Sequence, residues 1–456
     1  MRNRTADSLC TRWSLRPQRC AVLLAGIAAA LALAVVARSA AGPALSFAAG
    51  KNYATGAAPS AVALGDLNHD GKLDLVTVNR DASSFSVLLS SSGGFASKVD
   101  YPTRDEPSAV AIDELTNDGI PDVVVANDGS DTVSLFPNNG QGGFGPKSDQ
   151  FTGGFPSSVA IADVNGDDWP DVVTANNRVD DNTVSVLLNR GGTLGGGFVY
   201  RTGVSPSSVA VADLTGDGRP DLVTANADGN SVSVLPNVGG GDFGVNVDYG
   251  VGASPVSVAV GDLNGDHKPD VVAANAGGDS ISVLLNKGDR TLRPARDYPV
   301  GAVPASAAIH DLNGDGKADI AVANSGDDTV SAFLGRGDGG FLARLGYRSG
   351  DSPSSVAIGD LNADGRPDLA VANVGAGTVS VDLNSPGLCN VQYVLRMTLA
   401  KAKRTLASAH CGSVKITHAY SKRAKKGLVI AQKPRFGAVQ PRARKVGLVV
   451  SKGRRR

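Results

Sequence analysis

The chain has 456 residues, and its 44 basic residues balance 44 acidic ones. That length excludes one small domain and leaves room for two or more domains, or for one large repeat array with an appendage. The zero net charge hides a partition: residues 1–41 carry six Arg and one Asp, residues 389–456 carry 18 Lys plus Arg and no acid, and the remainder carries 20 basic against 43 acidic residues. Such asymmetry argues for separate modules with different partners.

In chain order, Arg2, Arg4, Arg12, Arg16 and Arg19 precede an apolar run from Ala21 to Ala37, followed by Ser39-Ala40-Ala41. Basic, then apolar, then small residues is the order of a secretory signal peptide, so residues 1–41 read as an export signal cleaved after Ala41. A retained membrane anchor is the alternative, because the run approaches spanning length. No Cys follows the run for lipid attachment. Cleavage would remove Cys10 and Cys20. Cys389 and Cys411 would remain, as one disulfide of an exported protein or as two buried free thiols.

Residues 44–388 repeat one script with a period near 50 residues. Residues 206–249 show it. Pro206-Ser207-Ser208 open an alternating stretch ending at Asp213, a loop follows, and then come Asp221-Leu222-Val223-Thr224-Ala225-Asn226 and a turn at Asp228-Gly229-Asn230. Ser231-Val232-Ser233-Val234-Leu235, a glycine turn and a last stretch from Phe243 through Tyr249 complete the repeat. Four short β-rich stretches without a helical period are the content of one propeller blade.

The fourth stretch has an apolar residue six before a Tyr: Phe47/Tyr53, Phe95/Tyr101, Leu194/Tyr200, Phe243/Tyr249, Leu292/Tyr298 and Phe341/Tyr347. Phe144 opens the remaining copy, which ends on Gln150-Phe151. The first copy precedes the first loop and none follows the last. Residues 44–56 are therefore expected to supply the outer strand of the last blade, a closure that removes open sheet edges. The expected fold is all-β: a seven-bladed β-propeller closed by an N-terminal strand, plus a small C-terminal α+β domain.

Each repeat contains a nine-residue acidic loop, clearest in Asp311-Leu312-Asn313-Gly314-Asp315-Gly316-Lys317-Ala318-Asp319. Oxygen-bearing side chains at positions 1, 3, 5 and 9 suit a hard cation, since Ca²⁺ takes about six to eight oxygens at roughly 2.3–2.6 Å. The position-7 carbonyl of Lys317 would add a backbone ligand, and Gly316 at position 6 permits the positive φ that folds the loop back. The ligand sets expected for Ca²⁺ are then Asp66, Asn68, Asp70 and Asp74 in loop 1; Glu114, Thr116, Asp118 and Asp122 in loop 2; and Asp163, Asn165, Asp167 and Asp171 in loop 3. Loop 4 offers Asp213, Thr215, Asp217 and Asp221; loop 5 offers Asp262, Asn264, Asp266 and Asp270. Loop 6 offers Asp311, Asn313, Asp315 and Asp319, and loop 7 offers Asp360, Asn362, Asp364 and Asp368. Loop 2, with Glu and Thr, is expected to bind most weakly; Asp168 and His267 replace the position-6 glycine in loops 3 and 5. The competing reading is a polar hairpin turn, which Asn, Asp and Gly also build.

These loops, with the Pro-Ser-Ser, Val-Ala-Asn and Ser-Val-Ser-Val elements, resemble the FG-GAP family and the related VCBS repeat, found in the integrin α-subunit propeller and in many bacterial surface proteins. The resemblance implies calcium-binding loops and a propeller. It does not imply a particular ligand.

After Asn384-Ser385-Pro386-Gly387 the composition changes and acids vanish. Leu399, Ala402, Leu406 and Ala409 share one helical face within residues 398–409, and β-rich stretches follow around Val414–Ala419, Leu428–Gln432 and Val446–Ser451. Residues 389–456 resemble a PASTA domain through Gly427-Leu428-Val429-Ile430-Ala431-Gln432-Lys433-Pro434 and Val446-Gly447-Leu448-Val449-Val450-Ser451-Lys452-Gly453. Gln392 stands where that family usually has Pro, and Arg396 where it usually has Gly. The resemblance implies a role facing cell-wall peptidoglycan. The positive charge independently suits anionic wall polymers and, non-specifically, nucleic acid; a small stabilising domain is the plain alternative. Here Cys389 and Cys411 would tie the lead-in strand to the end of the helix.

Arg336-Gly337-Asp338 spells an integrin-recognition tripeptide but occupies a turn that other repeats fill with Gly-rich sequence. The five His show no transition-metal spacing. Ser and carboxylate motifs recur in each repeat, so no unique nucleophile or acid/base pair stands out. The expectation is a secreted or cell-surface, monomeric, calcium-binding adhesion module, not an enzyme, with no specific nucleic acid and with an unknown protein or glycan ligand. The alternative is a polysaccharide-binding protein or polysaccharide-active enzyme, for which Phe155, Trp169 and Phe198 near blade 3 are the place to look.

Overall fold

The computed structural model describes residues 45–178, 181–385, 388–409, 411, 414–441 and 445–454. The expected export signal lies outside the described residues. Ala44–Arg456 form one compact unit. Among the described residues, no helix is long and apolar enough to cross a membrane.

The chain is an all-β repeat protein of antiparallel four-stranded sheets, the content expected of a propeller. Seven such sheets occur among the described residues. In the fourth repeat the strands are Pro206–Ala212, Asp221–Asn226, Ser231–Leu235 and Val247–Gly250. The second strand is buried at all six positions. It reads as an almost unbroken apolar and hydroxyl run because both of its faces are covered by neighbouring sheets. The fourth strand is largely exposed.

The apolar core lies between sheets. Leu67, Val76, Val78, Phe85 and Val87 of the first repeat pack with Val123, Val125 and Phe136 of the second. Val62, Leu75, Leu88 and Phe95 of the first pack in the same way with Ala370, Ala372, Val379 and Val381 of the last. The aromatic spacing read in the sequence joins adjacent sheets: Tyr53 meets Phe95 edge-on at 5.3 Å, and Tyr200 meets Phe243 at 5.3 Å.

Lys51–Ala54 pairs with Thr378–Asp382, so the first described strand is the fourth strand of the last repeat's sheet. Each first strand also opens with a bulge after its Pro, as at Pro156/Ser158. The bulge takes Ser157 out of the ladder, and its hydroxyl donates to the Pro206 carbonyl of the next sheet at 3.1 Å. Ser60, Ser108 and Ser207 make the same link to Pro107, Pro156 and Pro255, and Ser354 makes it back to Pro59 at 2.8 Å. Val256 and Ala305 have no hydroxyl to continue the series.

One stretch differs from the sequence reading. The fourth strand begins at Val247, not at Phe243, which sits in a small ribbon of Asn237–Gly239 with Asp242–Phe243. The Gly244 N–H donates to the Pro236 carbonyl at 2.8 Å, closing that ribbon before the chain reaches the sheet edge.

In the tail, Leu399–Ser408 forms a helix capped by the Thr398 side chain, which accepts the Lys401 N–H. Ala402, Leu406 and Ala409 are buried, as the helical spacing implies. Val414–Ala419 runs parallel to Val446–Ser451, which pairs antiparallel with Val429–Lys433. A Cys389–Cys411 disulfide ties Leu388–Asn390 to the helix end. The tail shares a core with the last two repeats: Val391, Val394, Leu406 and Val429 belong to one cluster with Phe47, Leu345 and Tyr347. Of the two residues that depart from the PASTA pattern, Gln392 has a structural role and Arg396 keeps the backbone conformation that a glycine would adopt. Gln392 Oε1 accepts the Gly346 N–H at 2.6 Å, and Arg396 sits at φ 63°, where glycine has no Cβ penalty.

Candidate functional site

In each loop the position-9 carboxylate is a buried junction. Asp221 Oδ2 accepts the Leu214 and Thr215 N–H groups at 2.9 Å each, and its Oδ1 accepts the Asn237 N–H at 2.7 Å. Asn237 follows the third strand, so one carboxylate ties the loop to that strand. The Asn237 amide then donates to the Val164 carbonyl of the preceding loop at 2.8 Å. Asn138, Asn189, Asn286 and Asn384 repeat this inter-sheet link to Leu67, Leu115, Leu214 and Leu312. In the sixth repeat Gly335 replaces the Asn, and a Cβ there would collide with the Ala318 carbonyl. The Gly339 N–H takes the Leu263 carbonyl instead, at 3.2 Å.

Positions 1, 3 and 5 fold the loop. Asp66 accepts the Asp70 and Gly71 N–H groups, Asn68 Oδ1 accepts the Asp70 N–H at 3.0 Å, and Asp70 Oδ1 accepts the Lys72 N–H at 3.0 Å. Loop 6 repeats the pattern at Asp311, Asn313 and Asp315. Glu114 reaches Asn117, Asp118 and Gly119 with its longer side chain. Position 6 has positive φ as expected, even at Asp168 (65°) and His267 (62°). Position 4 does too, at His69 (57°) and Ala363 (58°), a requirement the loop's chemistry does not reveal.

Burial raises the position-9 acids: Asp171, Asp270 and Asp368 to about 6, and Asp319 to about 7. Asp74, Asp122 and Asp221 rise for the same reason. Repulsion from positions 1 and 5 adds to it, as from Asp315 and Asp311 on Asp319. The loops thus gather like charge around a hard, oxygen-only donor set. In loops 2 and 4 the position-3 hydroxyls of Thr116 and Thr215 are buried beside the position-9 carboxylates of Asp122 and Asp221. This chemistry fits a hard cation. Against it, position-7 side chains already pair with position 5 in four loops, as Lys72 with Asp70 at 3.1 Å and Arg219 with Asp217 at 2.6 Å. Among the described residues, no three His, Cys, Asp or Glu side chains form a group able to hold a metal ion.

A second recurrent network was not visible in the sequence. Asn226 at the end of the second strand is fully buried; its Nδ2 donates to Ser231 and Ser233, and the Ser233 hydroxyl donates to Asp248 at 2.6 Å. Ser86/Asp100, Ser134/Asp149 and Ser282/Asp297 repeat the contact. These Ser–Asp pairs therefore fasten the fourth strand to the third. Arg336-Gly337-Asp338 lies in a turn where Asp338 accepts the Gly340 N–H at 2.9 Å. Phe155 and Phe198 are exposed, and Phe155 is covered by the Arg178 guanidinium, 4.9 Å from the ring centre.

A family model for the FG-GAP-like repeat matches residues 115–174, 163–224, 213–273, 262–322 and 311–371, more than half of the chain, and an FG-GAP repeat model matches 58–88. The chain belongs to the FG-GAP repeat family. No curated protein matches this FG-GAP repeat protein. Among solved structures it is similar to BBS1N in complex with ARL6DN, with 14% identity, TM-score 0.55, and coverage of 75% of this chain and 98% of that one. It is also similar to the hydrazine synthase of Kuenenia stuttgartiensis, with 17% identity, TM-score 0.53, and coverage of 72% and 96%. At such identities the likeness is one of fold.

Proposed function

We propose that this FG-GAP repeat protein is an exported binding module: a seven-bladed propeller closed by its N-terminal strand, stabilised by calcium in its acidic loops, with a basic PASTA-like tail that holds it at the cell wall. The observation that carries the binding reading is the repetition itself. Loop carboxylates and Ser–Asp pairs recur from sheet to sheet in structural roles, which leaves the propeller as a rigid frame for its surface loops. Closure is supported by the Ser354 to Pro59 hydrogen bond and by the pairing of Lys51–Ala54 with Thr378–Asp382. BBS1N, a protein of similar fold, was crystallised in complex with a protein partner.

The cation would be held by the residues at loop positions 1, 3, 5 and 9, with the position-7 carbonyl, and would neutralise their charge. The protein's own part is the backbone hydrogen bonding that folds each loop. Adhesion to a protein or glycan is the activity proposed for the propeller, and attraction to peptidoglycan or an anionic wall polymer that for the tail. The wall test is a pulldown on purified cell walls. Truncation at residue 389 would uncover the shared core around Leu345 and Tyr347, so the comparison uses the full chain and a Lys422→Glu, Arg423→Glu, Lys425→Glu, Lys426→Glu variant. Loss of retention in the variant is expected; equal retention sinks the wall-anchoring idea.

A further inference from the structure

At the fifth position of the third strand, six sheets carry Leu88, Phe136, Leu187, Leu235, Leu284 and Phe333. The seventh carries Asp382, in the same register opposite Leu369 that Leu235 has opposite Leu222. Asp382 is 3% exposed, and its Oδ2 has no hydrogen-bond partner. Burying a carboxylate in a hydrocarbon position costs stability unless something pairs with it. Burial alone raises its pKa to about 7, with no cation of the protein offsetting it.

This carboxylate borders a cavity of about 250 Å³ between the last two sheets, the N-terminal strand and the tail. The wall includes Asn52, Tyr347, Arg348, Ser380 and Gly437. Asn52 Oδ1 accepts the Ser380 hydroxyl at 2.7 Å, and the Arg348 guanidinium donates to the Phe436 carbonyl at 3.3 Å and stacks on the Phe436 ring. Gly50 leaves room for the acid: a Cβ there would collide with Asp382 Oδ1. At roughly 30 Å³ per water in the liquid, the space takes several waters or a small organic molecule. A single carboxylate is a poor donor set for a divalent ion, which seeks six or more oxygens.

We propose that the cavity at the junction of the seventh sheet and the tail binds a small primary ammonium compound, its N–H donors on Asp382. The ammonium supplies both the missing donor and the missing countercharge, which a neutral hydroxyl does not.

The test is titration of the full chain with ethanolamine hydrochloride at constant ionic strength, followed by saturation-transfer NMR, with tetramethylammonium and sodium chlorides as controls. Asp382→Leu restores the side chain of the other sheets and is expected to fold, which circular dichroism verifies; Gly50→Ala is a second block. The expected result is saturable ethanolamine binding, weakened at least tenfold in both variants and not competed by either control cation. No saturable binding to the unaltered chain, or equal binding by folded Asp382→Leu, overturns the proposal.

Discussion

The Ser354 hydroxyl donates to the Pro59 carbonyl at 2.8 Å across a separation of 295 residues. It is the link that Ser207 makes to Pro255 within the array, at 2.8 Å. The same hydrogen bond therefore joins the last repeat to the first and neighbouring repeats within the array. Deleting residues 45–54 would leave Thr378–Asp382 as an unpaired edge. Such a chain is expected to self-associate in light scattering; a monomer of unchanged Tm would contradict the proposed closure.

The position-9 acid is expected to matter as a hydrogen-bonding junction whether or not a cation is present. Asp221→Ala leaves three backbone N–H groups without their acceptor. A loss of about 2–4 kcal/mol in denaturant unfolding is expected, measured in chelator to separate it from metal loss. Asn237→Ala, which removes the donor to Val164, should cost about 1–3 kcal/mol.

Several loop residues occupy a backbone conformation that glycine adopts more easily. Ala363→Gly at φ 58°, His267→Gly at φ 62° and Arg396→Gly at φ 63° relieve that cost. Each is expected to raise stability by about 1 kcal/mol. A fall in Tm for all three would show that side-chain contacts outweigh the backbone term.

Asp382 gives a pH dependence whose sign is fixed. Burial lifts its folded pKa to about 7, above the ordinary 3.8 of an aspartate. The unfolded chain therefore loses this proton first, and stability falls as pH rises between the two values. Asp382→Leu should make that part of the Tm profile shallower, leaving the contribution of the raised position-9 acids, and, near neutral pH, stabilise the fold by about 1–3 kcal/mol. Parallel profiles for both proteins would count against a raised pKa at this position.

The repeat's gross features were legible because they are written in side-chain type. Period and loop spacing place the first three strands of each repeat and the Ala402/Leu406 face places the tail helix, whereas the Phe/Tyr offset starts the fourth strand too early, at Phe243 instead of Val247. What was not legible depends on partners distant in the chain. Asn237 looks like a turn residue until its amide is seen on Val164, and Gln392 looks like a departure from a family pattern until it meets Gly346. Asp382 left a readable signal, a Leu or Phe position turned acidic in one repeat of seven, but only the register of the strands makes that comparison meaningful. In the loops, sequence shows which oxygens are present; the backbone N–H groups that already engage them come only from the fold.

The most direct measurement is thermal unfolding of the full chain in calcium and in excess chelator. A cation that binds only the folded chain stabilises it by mass action, by roughly 4 kcal/mol at a thousandfold excess over Kd for one site. The account predicts a large rise in Tm with calcium, smaller when Asp311 and Asp315 are both changed to Asn. An identical Tm in calcium and chelator would contradict calcium as the cofactor of these loops and leave them as turns held by their own carboxylates.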